Sequence, residues 1–434
     1  MTHDVRGMPV SLGNVDALEL YEKALQQYQS YVGDALATID TALARWPNFV
    51  LGHAFRAGVL MTFGERRFAT EARRSVENAE ALWAEANDRE RGLVTAARRL
   101  VDGDWHGGCA AYDHVLALHP RDVFALQTAH VFDFYRGDAL NLRNRVSRVL
   151  PHFSPSVLGY SYVLGMHAFG LEECNQYAEA ERSAVRALEL EPKDGWAVHA
   201  AVHVMEMQGR IEEGIAWLES KVNDWAPDNG FAFHNWWHLA LFYLDRGRTD
   251  RVLELYDEAV YPERSDVTLQ LVDATALLWR LELLGHDVGE RFDELADVWQ
   301  SKLEGEAGFY AFSDAHALMA LARSGRETAV RQLLTGMDTA ASGSTTNAAM
   351  TREVGLPLAR ALLAFVEGRH AEAASLLEAV RDVASRFGGS HAQRDLLTLT
   401  LIVAARSAGK NELASHYLAE RRVHRPASAL GWRL

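Results

Sequence analysis

Cysteine is scarce in this sequence of 434 residues, which contains only Cys109 and Cys174. These two residues are far apart and form no short metal-ligand spacing. A disulfide-rich secreted fold is therefore excluded, and a reducing compartment is predicted. The simplest interpretation of the pair is that both are ordinary buried thiols.

Positive charge is also in short supply. Lys and Arg number 44 against 59 Asp and Glu, which gives a formal net charge of -15. Since nucleic-acid backbones and anionic lipid surfaces attract basic proteins, this balance argues against a nucleic-acid or membrane partner. No apolar run approaches the roughly 20 residues that cross a bilayer, and the N-terminal MTHDVRGMPVSLG lacks the pattern of a secretory signal. We therefore predict a cytoplasmic protein.

Linkers and strand signals are missing as well. The chain has no Pro/Gly/Ser-rich linker and no abrupt change of composition, so one elongated array explains its length better than several globular domains. We predict an N-terminal arm at residues 1–13 and a single repeat domain at 14–434. Alternating apolar runs between Asn-Gly or Asp-Gly turns do not occur, and the Gly/Ser/Thr-rich stretch at 341–350 is predicted to be a loop.

What the sequence does contain is a regular repeat. A small turn-forming residue recurs at intervals of 31 to 43 residues, with a helical pattern on either side. Glycine just past a helix end adopts the left-handed conformation that other residues avoid, so these positions are predicted to be hairpin turns. They are Gly33, Gly64, Gly103, Gly137, Asn175, Gly209, Gly247, Gly285, Gly325, Gly368 and Gly409.

Two helices and one turn glycine in each repeat match the tetratricopeptide pattern, whose period is about 34 residues. Because each hairpin buries its apolar face only against its neighbours, we predict an all-α solenoid of about eleven helical hairpins. The expected shape is a right-handed superhelix with a concave or closed inner channel. Proline is predicted to end helices at Pro47, Pro120, Pro151, Pro192, Pro227 and Pro262.

Several longer strings resemble one family more closely. They are GMHAFGLEE at 165–173, DGWAVHAAVHVMEMQGR at 194–210, HNWWHLALF at 234–242, LLWRLELLGHDVG at 277–289 and GGSHAQRD at 388–395. On these strings the chain resembles the tetratricopeptide repeat protein 38 family over nearly its whole length. The resemblance supports the repeat fold and implies that the first helix of each hairpin lines the concave face. It leaves the chemical function open.

A candidate site begins on the first helix of the sixth hairpin. Trp196, His199, His203 and Glu206 follow one another at steps of three, four and three residues, so they share one helical face. The opposite face carries small or aliphatic residues that suit close packing. We therefore expect this helix to present imidazole and carboxylate groups to the inner surface.

The next hairpin repeats the pattern with His234 and His238, beside Trp237. First helices of neighbouring repeats pack about 8 to 10 Å apart, which is close enough for their inner side chains to share one pocket. We predict that both histidine pairs and Glu206 are catalytic and that Trp196 and Trp237 bind the substrate. The ordinary alternative is a hydrogen-bonded polar seam between repeats, with the tryptophans as packing residues.

Polar residues on other first helices are candidates for substrate binding as well. If the superhelix completes about one turn, early and late hairpins face each other across a narrow channel. These candidates are His53, Glu172, Asp314, His316, His391, Arg394 and Asp395.

Two kinds of chemistry fit these side chains. Two histidine pairs with Glu206 offer metal ligands, but HExxH and CxxC motifs are absent, so the metal and any cofactor are left open. Imidazoles oriented by a carboxylate also move protons near neutral pH. The first hypothesis is therefore a protein that binds a small polar or aromatic molecule and acts on it by acid–base or hydrolytic chemistry. The alternative is a non-catalytic scaffold that binds a peptide or a partner protein in its groove, and a homo-oligomer is compatible with either.

Overall fold

The computed structural model describes residues 2–433, with the side chain of Trp432 excepted. Helices account for nearly all of the ordered elements, and the prediction of an all-α fold is confirmed. Within these residues the only sheet has two strands, β1 (Thr2–His3) and β2 (Pro9–Val10), which pair antiparallel. This small hairpin is fixed to a helix, since Asn87 and Arg89 both donate hydrogen bonds to the carbonyl oxygen of Pro9.

The chain forms two compact units. The first comprises the chain up to Ala201 together with Asn223–Ala232, and the second comprises Val202–Val222 together with the chain from Phe233 onward. The single domain predicted for residues 14–434 stays a prediction. No helix between residues 2 and 433 combines the length and the apolar character that crossing a bilayer requires.

The first unit consists of consecutive antiparallel helices, each packed on the next. They are α1 Val15–Ser30, α2 Ala35–Arg45, α3 Val50–Met61, α4 Arg66–Ala81, α5 Asp88–Val101, α6 Trp105–Leu118, α7 Val123–Tyr135, α8 Ala139–Val149, α9 Tyr160–Glu173 and α10 Tyr177–Leu190. The boundary between the units falls inside the following helix, α11 Gly195–Met207.

The second unit continues the same scheme. The elements of the second unit are α12 Ile211–Ser220, α14 Ala232–Asp245, α15 Thr249–Leu255, α16 Thr268–Leu283, α17 Arg291–Glu306, α18 Ala311–Arg323, α19 Glu327–Ala341, α20 Thr346–Met350, α21 Leu356–Val366, α22 His370–Arg381, α23 His391–Ser407, α24 Asn411–His424 and α25 Leu430–Arg433. The short helix α13 (Val222–Trp225) lies mostly in the segment Asn223–Ala232 of the first unit. A π-helical turn at Thr351–Gly355 joins α20 to α21, so together they form the first helix of one hairpin. Residues 2–433 therefore contain eleven hairpins, the number predicted.

The turn residues explain why the hairpins form at these positions. All eleven predicted turn residues have positive φ, from 60° at Asn175 to 86° at Gly33. A side chain makes this left-handed conformation costly for most residues, so glycine sets where each helix ends. Side-chain caps fix where some helices begin. Asn14 accepts a hydrogen bond from the amide of Ala17, and Ser390 forms a capping box with Gln393.

One local prediction is wrong. The stretch at 341–350 is not a loop throughout, because α19 extends to Ala341 and α20 begins at Thr346. The side chain of Thr345 accepts a hydrogen bond from the amide of Ala348 and so caps the new helix. The polar composition of this stretch thus reflects four connecting residues, the last of which is the helix cap Thr345. The six predicted prolines, by contrast, all follow the end of a helix.

Within the second unit, contacts between distant parts of the chain bring polar groups together. Trp279 of α16 donates a hydrogen bond to Thr400 of α23, over 121 residues of sequence. The C-terminal segment reaches the seventh hairpin, where the amide of Ala429 donates to Asp245 and Arg433 donates to the carbonyl of Leu244.

Candidate functional site

The polar residues of α11 and α14 that belong to the second unit are almost completely buried. His203 and His238 have 0% of their surface exposed, Glu206 has 4% and His234 has 8%. Their helices are otherwise apolar, with Val202, Val204 and similar residues around them. Buried polar groups are stable only when they have polar partners, so this group of residues must satisfy one another or a ligand.

The three imidazoles lie next to one another. The ring centroids of His203 and His238 are 4.5 Å apart, and those of His234 and His238 are 4.9 Å apart. One ligand nitrogen of each ring lies within 4.8 Å of the corresponding nitrogens of the other two. The structure therefore brings these three predicted residues to a single centre, which we call the imidazole cluster (His203, His234, His238).

Two carboxylates hold the cluster in position. Nδ1 of His238 donates to Oε2 of Glu206 at 2.8 Å, and Nδ1 of His234 donates to Oδ2 of Asp273 at 2.6 Å. Since a carboxylate accepts, these bonds place a proton on Nδ1 of each ring, so the neutral form of either ring carries its lone pair on Nε2. Glu206 was predicted as part of the site, whereas Asp273 was not.

Burial keeps the central imidazole neutral. It lowers the pKa of His238 well below the usual range, and the neighbouring His203, His234, Arg425 and Arg280 lower it further. A neutral imidazole is the form that accepts a proton or binds a metal ion.

A guanidinium network lies behind Glu206. Arg425 donates from Nη1 to Oε1 of Glu206 at 2.7 Å and approaches Asp395 at 3.6 Å. Arg421 makes two hydrogen bonds of 2.8 Å to the same Asp395 carboxylate. Burial alone would raise the pKa of Asp395, but these two arginines outweigh it and hold the pKa below its usual range. Asp395, predicted as a substrate-binding residue, is therefore an ionised partner of arginine here.

Arg280 differs from the other two arginines. It is 2% exposed, and it donates to the backbone carbonyls of Ala276 and Ala392. Within residues 2–433, no ion pair joins Arg280 to a carboxylate. Burial lowers its pKa to about 10. Its guanidinium carbon lies 5.3 Å from the ring of Trp237, which in turn stacks on His234 at 5.3 Å with an interplanar angle of 11°.

His199 and Trp196 belong to the first unit, although they stand on the same helix as His203. The ring of His199 packs against Phe169 and Phe231, with centroids 5.1 and 5.3 Å away. Trp196 borders a small pocket that is also lined by Gln29, Tyr31, Gln127, His130, Val131, Tyr162 and Met166.

Several polar atoms around this pocket lack hydrogen-bond partners within the described part of the chain. They are Nε2 of Gln29, Oε1 of Gln127, Nε1 of Trp196 and both ring nitrogens of His130. Burial lowers the pKa of His130 to about 3, so its ring is neutral near neutral pH. Such atoms usually bind ordered water or a small polar molecule.

Three of the other predicted substrate-binding residues, His53, His316 and Asp314, have local partners. His53 of the first unit donates to the carbonyl of Pro47 at 2.8 Å, and Glu172 is buried near the end of α9. In the second unit His316 donates to the carbonyl of Phe312, and Asp314 accepts from the amide of Gly308.

The last two predicted residues interact with each other. Arg394 lies 3.3 Å from Nδ1 of His391 in the first turn of α23. The predicted function of these residues in substrate binding stays a prediction.

Sequence reasoning missed four charged residues of the second unit. Only Arg280 left a signal, as one of two charged residues, with Glu282, inside the otherwise apolar string LLWRLELL. The others have partners at large sequence separation, with 219 residues between Arg425 and Glu206. The missed residues are Asp273, Arg280, Arg421 and Arg425.

Comparisons with known proteins show only distant similarities. No family model matches the chain. The human IFIT1 dimer with m7Gppp-AAAA is similar over 96% of this chain and 96% of its own, at 14% identity and a TM-score of 0.45. Yeast Tom70 is similar over 94% and 99%, at 12% identity and a TM-score of 0.42. The P58(IPK) TPR domain is similar over 92% and 98%, at 14% identity and a TM-score of 0.22.

These likenesses are too weak to transfer any function. The chain's own eleven hairpins, with a left-handed residue at every turn, make it a tetratricopeptide-like repeat protein. Membership of the tetratricopeptide repeat protein 38 family stays a prediction.

Proposed function

We propose that the second unit binds a small molecule with an anionic group and acts on it by acid–base or hydrolytic chemistry. The proposed site consists of the imidazole cluster with Glu206 and Arg280. This is the function predicted from the histidine pairs, now with a defined chemical class of ligand.

The observation that carries the proposal is the environment of Arg280. The carboxylates of Asp395 and Glu206 attract Arg280 without forming an ion pair with it. A buried guanidinium without a direct anionic partner is unfavourable by several kcal/mol, to an order of magnitude. Backbone carbonyls satisfy part of its hydrogen-bonding capacity but supply no negative charge. A carboxylate or phosphate group on a ligand would supply that charge, and guanidinium is the group best suited to bind either of them in two places.

Two further features support a ligand of this kind. Nη2 of Arg425 is buried and has no hydrogen-bond partner within residues 2–433, so a second guanidinium has a donor to spare. Trp237 is 0% exposed, and its ring is close to both Arg280 and His234, which provides a flat apolar surface beside them. Convergent polar groups beside an aromatic wall are typical of small-molecule sites.

The orientation of the imidazoles supports a catalytic role. In many enzymes an imidazole is held by a carboxylate through one nitrogen and acts through the other. His238 with Glu206 and His234 with Asp273 have this arrangement. Such imidazoles assist hydrolysis either by taking a proton from water or by holding a metal ion that activates the water.

The alternative function is a non-catalytic scaffold for a peptide or a partner protein. Peptide recognition requires contact residues on an accessible surface, whereas the cluster residues expose at most 8% of their area. The burial of the cluster therefore favours a small molecule. A cytoplasmic location is part of the proposal, and the scarcity of cysteine supports it.

The proposal is tested with benzoate and inorganic phosphate as probes. We expect one or both to raise the melting temperature of the full-length protein and to give a saturable calorimetric titration. Arg280→Met should abolish the titration, and the matched surface variant Arg323→Met, which breaks a pair with Glu282, should retain it. If neither anion binds the wild type, or Arg280→Met binds as the wild type does, the proposed ligand class is wrong.

A further inference from the structure

The imidazole cluster has the features of a metal site. We infer that His203, His234 and His238 together bind one divalent transition-metal ion of the Zn²⁺ class, through one ring nitrogen each. This inference rests on the proposed function for the location of the ligand-binding centre, and it makes a separate claim about what occupies that centre.

The distances are close to those of a bound ion. The three ligand nitrogens lie within 4.8 Å of one another. Nitrogens bound at about 2.0 to 2.1 Å to a tetrahedral ion are about 3.3 Å apart, so each would move by less than about 1 Å. Small rotations of the three side chains suffice for this movement, and the backbone of α11 and α14 can stay in place.

The carboxylates supply the second requirement of such sites. Metal-binding histidines almost always donate their other ring N–H to a carboxylate, a carbonyl or water, which fixes the ring and raises its basicity. His238 and His234 each have this bond, to Glu206 and Asp273. Both bonds use Nδ1, so the lone pair of each ring is on Nε2. Two independent carboxylate–histidine pairs at one centre are more than a polar seam between helices requires.

The ligand set indicates the class of metal. Imidazole nitrogens suit zinc, copper, iron and nickel, whereas calcium and magnesium prefer oxygen. Thiolates take no part, because Cys109 and Cys174 both belong to the first unit. Three protein ligands leave at least one coordination position for water or substrate, as in catalytic zinc sites.

The charges of the surroundings are compatible with a cation. Glu206 and Asp273 place two carboxylates behind the imidazoles, and Arg425 binds only one of them. The three arginines (Arg280, Arg421 and Arg425) and the three carboxylates (Glu206, Asp273 and Asp395) cancel in charge, so a divalent ion would leave an excess of positive charge that an anionic ligand offsets. Such an ion would supply the activated water that the proposed hydrolytic chemistry needs.

The competing explanation is a metal-free seam in which the three imidazoles only hydrogen-bond to the protein. The two explanations differ in metal content and in the effect of substitutions. In a metal-free seam, replacing a histidine changes only the stability of the protein. In a metal site, loss of any one ligand lowers affinity for the ion in solution.

The experiment uses full-length protein that has been treated with a chelator, dialysed against Zn²⁺ and analysed for metal. The expected result is one ion per chain for the wild type and for the control His286→Ala, whose imidazole contacts Thr249 away from the cluster. His238→Ala and His234→Ala should bind none. With Co²⁺ as the probe, the wild type should show the intense visible absorption of a tetrahedral site, and the two variants should not.

A variant that fails to fold does not decide the matter, so two more measurements are made. Asp273→Asn keeps the size of the side chain and should lower Zn²⁺ affinity about 10- to 100-fold with unchanged stoichiometry. Zn²⁺ should also raise the melting temperature of the wild type in a concentration-dependent way. Absence of bound metal in the wild type, or equal binding by correctly folded His238→Ala, overturns the inference.

The outcomes separate this inference from the proposed function. If the chelated wild type still binds benzoate or phosphate but no Zn²⁺, only the metal inference fails. If it binds Zn²⁺ at one ion per chain but neither anion, with or without the metal, the proposed ligand class fails and the metal site stands.

Discussion

Glu206 joins the imidazole cluster to the arginine network, and its replacement by glutamine tests whether this connection is real. The substitution keeps the volume of the side chain and removes its charge. Arg425, 5% exposed, then loses its carboxylate partner at 2.7 Å and keeps only Asp395 at 3.6 Å. His238 and Arg425 must also share the one remaining acceptor oxygen.

The expected loss of stability is large. Removing one partner of a buried ion pair typically costs about 3 to 5 kcal/mol, because an uncompensated charge stays buried. The amide oxygen retains one hydrogen bond, so we expect about 3 kcal/mol for Glu206→Gln. For a unit of this size, that corresponds to a fall in melting temperature of about 6 to 12 °C.

The assay is thermal and urea unfolding of four proteins: wild type, Glu206→Gln, Arg425→Met and the double variant. The two single changes should not add, and the coupling should be about 1.5 to 3 kcal/mol. Glu282→Gln is the control, since its pair with Arg323 is exposed to solvent and should change stability by less than about 1 kcal/mol. Refutation would be a Glu206→Gln protein as stable as the control, or additive single variants.

Three further predictions concern the fold. Burial lowers the pKa of His130 to about 3 and that of His316 to about 4. The unfolded imidazoles titrate near about 6.5, so the unfolded chain binds more protons below that pH. The contribution of each histidine to the unfolding free energy is complete above about pH 6.5. It falls by about 1.4 kcal/mol per pH unit for each residue as the pH drops toward 4. In urea unfolding at several pH values, His316→Gln should remove the contribution of one histidine to the slope of unfolding free energy against pH. An unchanged slope would contradict the lowered pKa of His316. Gly325→Ala should destabilise the protein by about 1 to 2 kcal/mol, because φ is +64° at this turn. The control Gly305→Ala lies inside α17 and should stabilise the protein by about 0.5 to 1 kcal/mol. Effects of the same sign would show that the left-handed conformation at Gly325 is wrong. Ala201→Leu, at 1% exposure, should overpack its surroundings and lower stability by about 1 to 3 kcal/mol in the same assay, and a neutral effect would mean that the site has spare room.

The fold was predictable because its main determinants are local. A residue that adopts positive φ at a helix end leaves a visible mark, and all eleven turn residues from Gly33 to Gly409 were identifiable from the sequence. The exception is the stretch at 341–350, which was predicted to be a loop. There Thr345 caps a helix, and threonine is also common in loops. Composition alone does not separate these two cases.

The candidate site was predictable in part. The spacing of His203 and Glu206 on one helix, and of His234 and His238 on the next, was sufficient to expect a common centre. The carboxylate of Asp273 and the guanidinium groups were not, because tertiary contacts at separations of 26 to 219 residues leave no local pattern. The division of α11 between the units was also absent from the sequence signal.

Whether the imidazole cluster is a ligand-binding centre is tested most directly by X-ray diffraction from crystals of the full-length protein, equilibrated with Zn²⁺ and measured on both sides of the zinc absorption edge. We predict an anomalous peak at bonding distance from His203, His234 and His238, with a second, lighter group against Arg280 when benzoate or phosphate is present. Contrary evidence would be the absence of a peak there, with all three imidazoles hydrogen-bonded only to protein groups.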